Sequence, residues 1–176
     1  MPLPLRRVLA SLVFLLALVA GVVGAAGPAS ASTARHVSIR ATTVFGPPDY
    51  QPSQLTFRAH GALRAVGTWE FPEGTDEGDV SVVDLTFRPS GTRDYFVVQV
   101  RSRRTVDVFD PETCTGYARE AGSWTYRHGT GRYASLHGGG TLSARASYFG
   151  PADPDQDCAG ISERFTLRLD GRLTRR

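Results

Sequence analysis

Apolar and polar residues alternate with a period of two through most of this chain, and Gly, Pro and Asp break the alternation at short intervals. Over residues 55–71, Leu55, Phe57, Ala59, Gly61, Leu63, Ala65, Gly67, Trp69 and Phe71 hold one parity. Thr56, Arg58, His60, Arg64, Thr68 and Glu70 fill most of the other. A period of two puts the two sets on opposite faces of an extended backbone, whereas a helix would smear them around its axis. The run is too long for one flat strand, so two strands, or one bent at Gly61, are expected. The same pattern returns at Ser81, Val83, Leu85, Phe87; at Ala134, Leu136, then Leu142, Ala144, Ala146, Tyr148; and at Ile161, Phe165, Leu167, Leu169. Turn residues separate these runs at Gly46-Pro47-Pro48-Asp49, at residues 72–78, and at Pro89-Ser90-Gly91, Asp110-Pro111, Gly129-Thr130-Gly131 and residues 150–154. No stretch reads as a helix. About eight strands joined by short turns specify an antiparallel barrel or sandwich, and 176 residues leave room for one such domain.

The first 31 residues bear on the compartment. Arg6 and Arg7 precede an almost purely apolar run from 8 to 26, and Ala29-Ser30-Ala31 supplies a small-x-small cleavage site. This is the layout of a secretory signal peptide, with a retained membrane anchor as the alternative. A secreted, extracellular domain over residues 32–176 is expected, with no membrane attachment after cleavage. Removing the signal also removes the apparent basicity. Of 20 basic residues, all Arg, two lie in the signal, leaving 18 against 17 acidic groups. Nucleic acid is therefore not an expected partner. Cys114 and Cys158 are the only cysteines, and an even count in an oxidising compartment reads as one disulfide. Closing so long a loop stabilises by ~4 kcal/mol in the chain-entropy description.

Residues 117–148, YAREAGSWTYRHGTGRYASLHGGGTLSARASY, run from an aromatic strand through G-T-G-R-Y to a second Gly-rich strand. This segment resembles the GTG-aromatic hairpin of the allene oxide cyclase and dirigent barrels and of many secreted actinobacterial proteins. The resemblance covers 32 residues and implies an eight-stranded barrel. Gly129 and Gly131 would make its tight turn and Gly138 to Gly140 a close strand approach or bulge. It carries over no active-site residue, because none of those families' catalytic groups maps onto a local motif here, and one fold hosts many activities.

Groups that could do chemistry are few. The four histidines, His36, His60, His128 and His137, are not spaced as ligands on one helical face, and no metal or other cofactor is expected. Asp153, Asp155 and Asp157 alternate as a calcium loop begins, but Cys158 and Arg164 stand where that loop requires Gly and Glu. There is no G-x-S-x-G and no spare thiol. Parity exposes a sharper feature. If residues 94–109 form one path, Arg104 shares a face with Phe96, Val98, Val100, Val106 and Val108; on residues 117–126, Glu120 shares one with Ala118, Gly122, Trp124 and Tyr126. Either a turn or bulge at Arg101 to Arg104 resets the parity, or both charges are placed inside, where each needs a partner.

The expectation is thus an all-β, single-domain antiparallel barrel of eight strands, from about residue 36 to 173, stapled by Cys114–Cys158. Its leading function is non-enzymatic binding of a small, partly apolar molecule in the lumen, with Arg104, Glu120, Trp124 and Tyr126 as the candidate ligand-binding residues. Two alternatives stand beside it. One is a cyclase- or dirigent-like enzyme steering a reactive intermediate in the same lumen. The other is an interaction module using the Arg-rich outer face of the last strand, Arg164, Arg168 and Arg172.

Overall fold

A computed structural model describes residues 33–46, 51–70, 75–77, 79–150, 158 and 162–176, all within the unit Ser32–Arg176. The expected signal peptide and the alternating aspartates at 153, 155 and 157 lie outside the described residues. The elements are β1 (Arg35–Gly46), β2 (Gln51–Gly61), β3 (Ala65–Glu70), β4 (Thr75–Glu77), β5 (Val80–Pro89), β6 (Phe96–Asp110), β7 (Thr115–Gly129), β8 (Leu136–Phe149) and β9 (Ser162–Arg175). A single 3-10 turn, Gly131–Tyr133, sits between β7 and β8, and no described helix is long and apolar enough to cross a membrane.

Every pairing is antiparallel. The sheet runs β3-β2-β1-β9-β8-β7-β6-β5 and closes on itself through β3–β5, so eight strands form a ring and the three-residue β4 flanks β5. The long alternation at 55–71 resolves into β2 and β3, and the chain turns between them at Gly61, whose φ of 84° lies in the left-handed region. Of the close strand approach or bulge expected at Gly138 to Gly140, the structure has the close approach. There β8 runs straight through Gly138 to Gly140, and a side chain at Gly140 would collide with the Asp170 carbonyl of β9.

Inward-facing residues follow the alternation strand by strand. Val37, Ile39, Phe57, Trp69, Leu85, Phe87, Phe96, Val98, Trp124, Leu167, Leu169 and Leu173 are all buried. Aromatic rings fill much of this interior: Phe87 stacks on Phe96 at 5.0 Å, Phe57 meets Phe87 edge-on at 5.0 Å, and Trp69 stacks on Phe165 at 6.4 Å. Inward positions taken by glycine make room for the largest ring. Trp124 on β7 stands opposite Gly140 on β8, which stands opposite Gly171 on β9. Its indole N–H reaches across both glycines and donates to the Asp170 carbonyl at 3.2 Å.

The two ends of the ring differ. One is sealed by local hydrogen bonds: the Ala62 amide to the His36 carbonyl, the Thr130 amide to the Tyr95 carbonyl, and the Arg176 amide to the Ser135 carbonyl. Tyr133, from the 3-10 turn, is buried beneath Phe96 at this end. At the other end, Cys114 in the β6–β7 turn is joined to Cys158 between β8 and β9, with Cα atoms 5.3 Å apart. This is the expected disulfide.

Candidate functional site

Near the disulfide end, polar groups enter the inner face. On β6 the inward series Phe96, Val98, Val100 continues to Ser102 and Arg104. On β7, Tyr126 and Trp124 are followed by Gly122, Glu120 and Ala118. Ser102 stands opposite Gly122, and Arg104 opposite Glu120. Directly opposed residues in an antiparallel pair project to the same side of the sheet, so Arg104 and Glu120 share the inner face.

The strand register slips immediately afterwards. Arg104 pairs with Glu120, but Val106 pairs with Arg119, leaving Thr105 as an extra residue. The bulge turns Val106 and Val108 outward and brings Asp107 and Phe109 in, which corrects the expectation that Val106 accompanies Arg104. A bulge and placed polar groups, two readings that the sequence left as alternatives, coexist here because the slip falls one residue beyond Arg104.

The two charges have separate hydrogen-bond partners. Arg104 Nη1 donates to Asp107 Oδ2 at 2.7 Å, and the Ser102 hydroxyl, itself buried, donates to Glu120 Oε2 at 2.8 Å. Inward positions of β8 and β9 complete the group. Tyr148 stands opposite Glu163, and Ala146 opposite Phe165. Burial raises the carboxyl of Glu163 above the ordinary carboxylate range; the charge of Arg104 pulls it back and that of Glu120 pushes it further. The Tyr148 phenol is raised chiefly by burial and next by Glu163. Beneath these side chains, Ala118, Ala144 and Ala146 form a buried, small-residue floor. Phe109, 6.4 Å edge-on from Tyr148, adds an apolar rim. The arrangement offers one guanidinium, three carboxylates, a phenol and apolar ring faces on a single concave side.

Trp124 and Tyr126 do not join it. The indole of Trp124 is committed to Asp170, and the Tyr126 hydroxyl donates to the Tyr133 carbonyl at 2.7 Å in the sealed end, where burial raises its pKa strongly. The sequence reading missed Ser102, Asp107 and Tyr148 as members of this group. The parity of β8 and β9 already placed Tyr148 and Glu163 on the inward side, since each extends its strand's apolar series by one step. Asp107 had no such signal, because its inward position depends on the bulge. Among the described residues no group of His, Cys, Asp and Glu could hold a metal ion.

No protein-family model, curated protein or solved structure matches this chain.

Proposed function

We propose that this chain is a secreted, non-enzymatic β-barrel protein, exported by the signal peptide over residues 1–31, that holds a small, partly apolar molecule at the disulfide end of its barrel. One observation carries the reading: Arg104, Glu120, Tyr148 and Glu163 converge from four neighbouring strands onto an alanine floor, while the rest of the interior is packed with aromatic and aliphatic side chains. A few polar groups set in an apolar surround are what small-molecule sites use to orient a ligand. Arg104 and the carboxylates would take the polar end, and Phe109, Tyr148 and Phe165 the apolar body. Native mass spectrometry of protein purified from its own secreting host tests this. A bound small molecule should appear on the wild type and be lost from a variant combining Arg104→Met with Glu120→Gln. Ligand-free wild type, or an adduct unaffected by these changes, would remove the proposal.

A second reading, an enzyme of the allene oxide cyclase or dirigent kind, is favoured by Glu163, whose raised pKa suits a proton donor beside a reactive intermediate. In that case Glu163→Gln should abolish turnover while leaving binding intact.

A further inference from the structure

The outward faces of β2, β1, β9, β8 and β7 carry an arrangement independent of the barrel interior. Arg58, Arg40 and Arg168 stand directly opposite one another on three successive strands. Arg145 and Arg119 are likewise opposed on the next two. All five are exposed, and with His60, Ser38, Ser143 and Thr166 they line a concavity of about 710 Å3. Like charges placed opposite each other in a sheet are destabilising, so this row is held against its own repulsion.

Three arginines away from this face are paired: Arg88 with Glu70 at 2.6 Å, Arg103 with Asp79 at 3.8 Å, and the inward-facing Arg104 with Asp107 at 2.7 Å. On this face Arg168 alone is paired among the described residues, with Asp170 at 2.6 Å. Arg40, Arg58, Arg119 and Arg145 have no carboxylate partner among the described residues, and the reason lies in the sequence. β1, β2 and β8 contain no Asp or Glu at all, and the sole acidic residue of β7, Glu120, points inward. With 18 basic against 17 acidic groups in the whole domain, the face reflects segregation of charge and not general basicity. Arg119 and Arg145 also lie over the Tyr117 ring, at 5.4 and 5.9 Å, which restrains both guanidinium groups before any partner arrives.

We propose that this face binds an acidic polysaccharide, a linear chain whose carboxylate or sulfate groups are taken by the forks of Arg58, Arg40, Arg168, Arg145 and Arg119 while Ser38, Ser143 and Thr166 meet its hydroxyls. Extent selects a polymer over a single anion. Four inter-strand steps separate β2 from β7, so the row spans ~19 Å of sheet, and one small oxyanion bridges only two neighbouring guanidinium groups. The lining selects a sugar chain over single-stranded nucleic acid, since His60 supplies its one ring and no Phe, Tyr or Trp lines the concavity for successive bases to stack on. It also selects against a lipid surface, since the lining holds no large apolar side chain and its one apolar residue, Ala144, turns its methyl towards the barrel interior.

The test is titration of the intact secreted protein with polygalacturonate, neutral dextran, galacturonic acid monomer and oligo-dT, with Arg40→Ser/Arg145→Ser alongside the wild type. Polygalacturonate should bind with an affinity that falls steeply with salt, the monomer and dextran should bind far more weakly, and the double variant should lose about tenfold or more. Circular dichroism and thermal unfolding of the variant separate a lost site from a lost fold; should it be misfolded, Arg58→Lys/Arg119→Lys, which keeps the charge and removes the fork, gives the same comparison. Equal binding of monomer and polymer, equal or tighter binding of oligo-dT, or unchanged affinity in a folded variant would overturn the assignment.

Discussion

Glu163 is a carboxyl whose ionisation the fold opposes. Because its folded pKa lies above the ordinary value, the folded state holds the proton more tightly than the unfolded chain. Its stabilising contribution is therefore complete below the ordinary carboxyl range and is lost as pH rises through the raised value. Glu163→Gln should be more stable than wild type at neutral pH, by less than ~1 kcal/mol for a partly buried group, and the gap should close towards about pH 4. Denaturant unfolding at several pH values checks this. Arg104 behaves differently: its side chain is 54% exposed and already paired with Asp107, so Arg104→Met should cost at most ~1 kcal/mol. Gly140 is the steric counterpart. Gly140→Ala would drive a methyl into the Asp170 carbonyl beneath the Trp124 indole, and a loss of ~1 to 3 kcal/mol is expected by the same measurement. Parity in the sequence located Arg104 and Glu120 correctly as exceptions on apolar faces. It gave no hint that Trp124 and Tyr126 are bound to backbone carbonyls elsewhere, because their partners, Asp170 and Tyr133, depend on strand neighbours and turns that periodicity does not encode.

Among the elements, β6 departs most from its sequence pattern. Residues 103–106, Arg-Arg-Thr-Val, contain neither Gly nor Pro, so nothing local marks the bulge at Thr105. Beyond the slip, Asp107 and Phe109 turn in beside Ala118 and Gly116. Deleting Thr105, the residue the bulge leaves unpaired, should restore a continuous ladder while Val106 and Val108 stay outward and Asp107 stays inward. Amide exchange at residues 103–107 should then slow while that of residues 96–102 is unchanged. The outer arginines of β1, β2 and β9 were legible one strand at a time; Arg164, Arg168 and Arg172 stood out in β9 alone. That Arg40 falls between Arg58 and Arg168 is a property of register. Arg40→Thr should raise stability by ~0.2 to 1 kcal/mol as the repulsion on both sides is relieved, a gain readable as an increased denaturation midpoint.

At the scale of the molecule, alternation and turn spacing anticipated an antiparallel ring of eight strands, since each strand had to bury one face and no helix was available to cover it. The order in which the ring closes was not legible, because β4 intervenes in the chain between the partners β3 and β5. Reducing Cys114–Cys158, which spans 44 residues, should lower the melting temperature, the loss being bounded by ~4 kcal/mol. It should leave the end sealed by Tyr133 folded longest. The strand β3 has a further consequence. As the shortest stave, it pairs through residues 65–68 with β2 and 67–70 with β5, and the Glu70–Arg88 ion pair fastens its outer edge. A closed ring exposes no long edge to which another chain could add a strand, so self-association by strand exchange must begin with a broken seam. The seam that yields at least cost lies beside β3, and there the molecule's resistance to aggregation is decided.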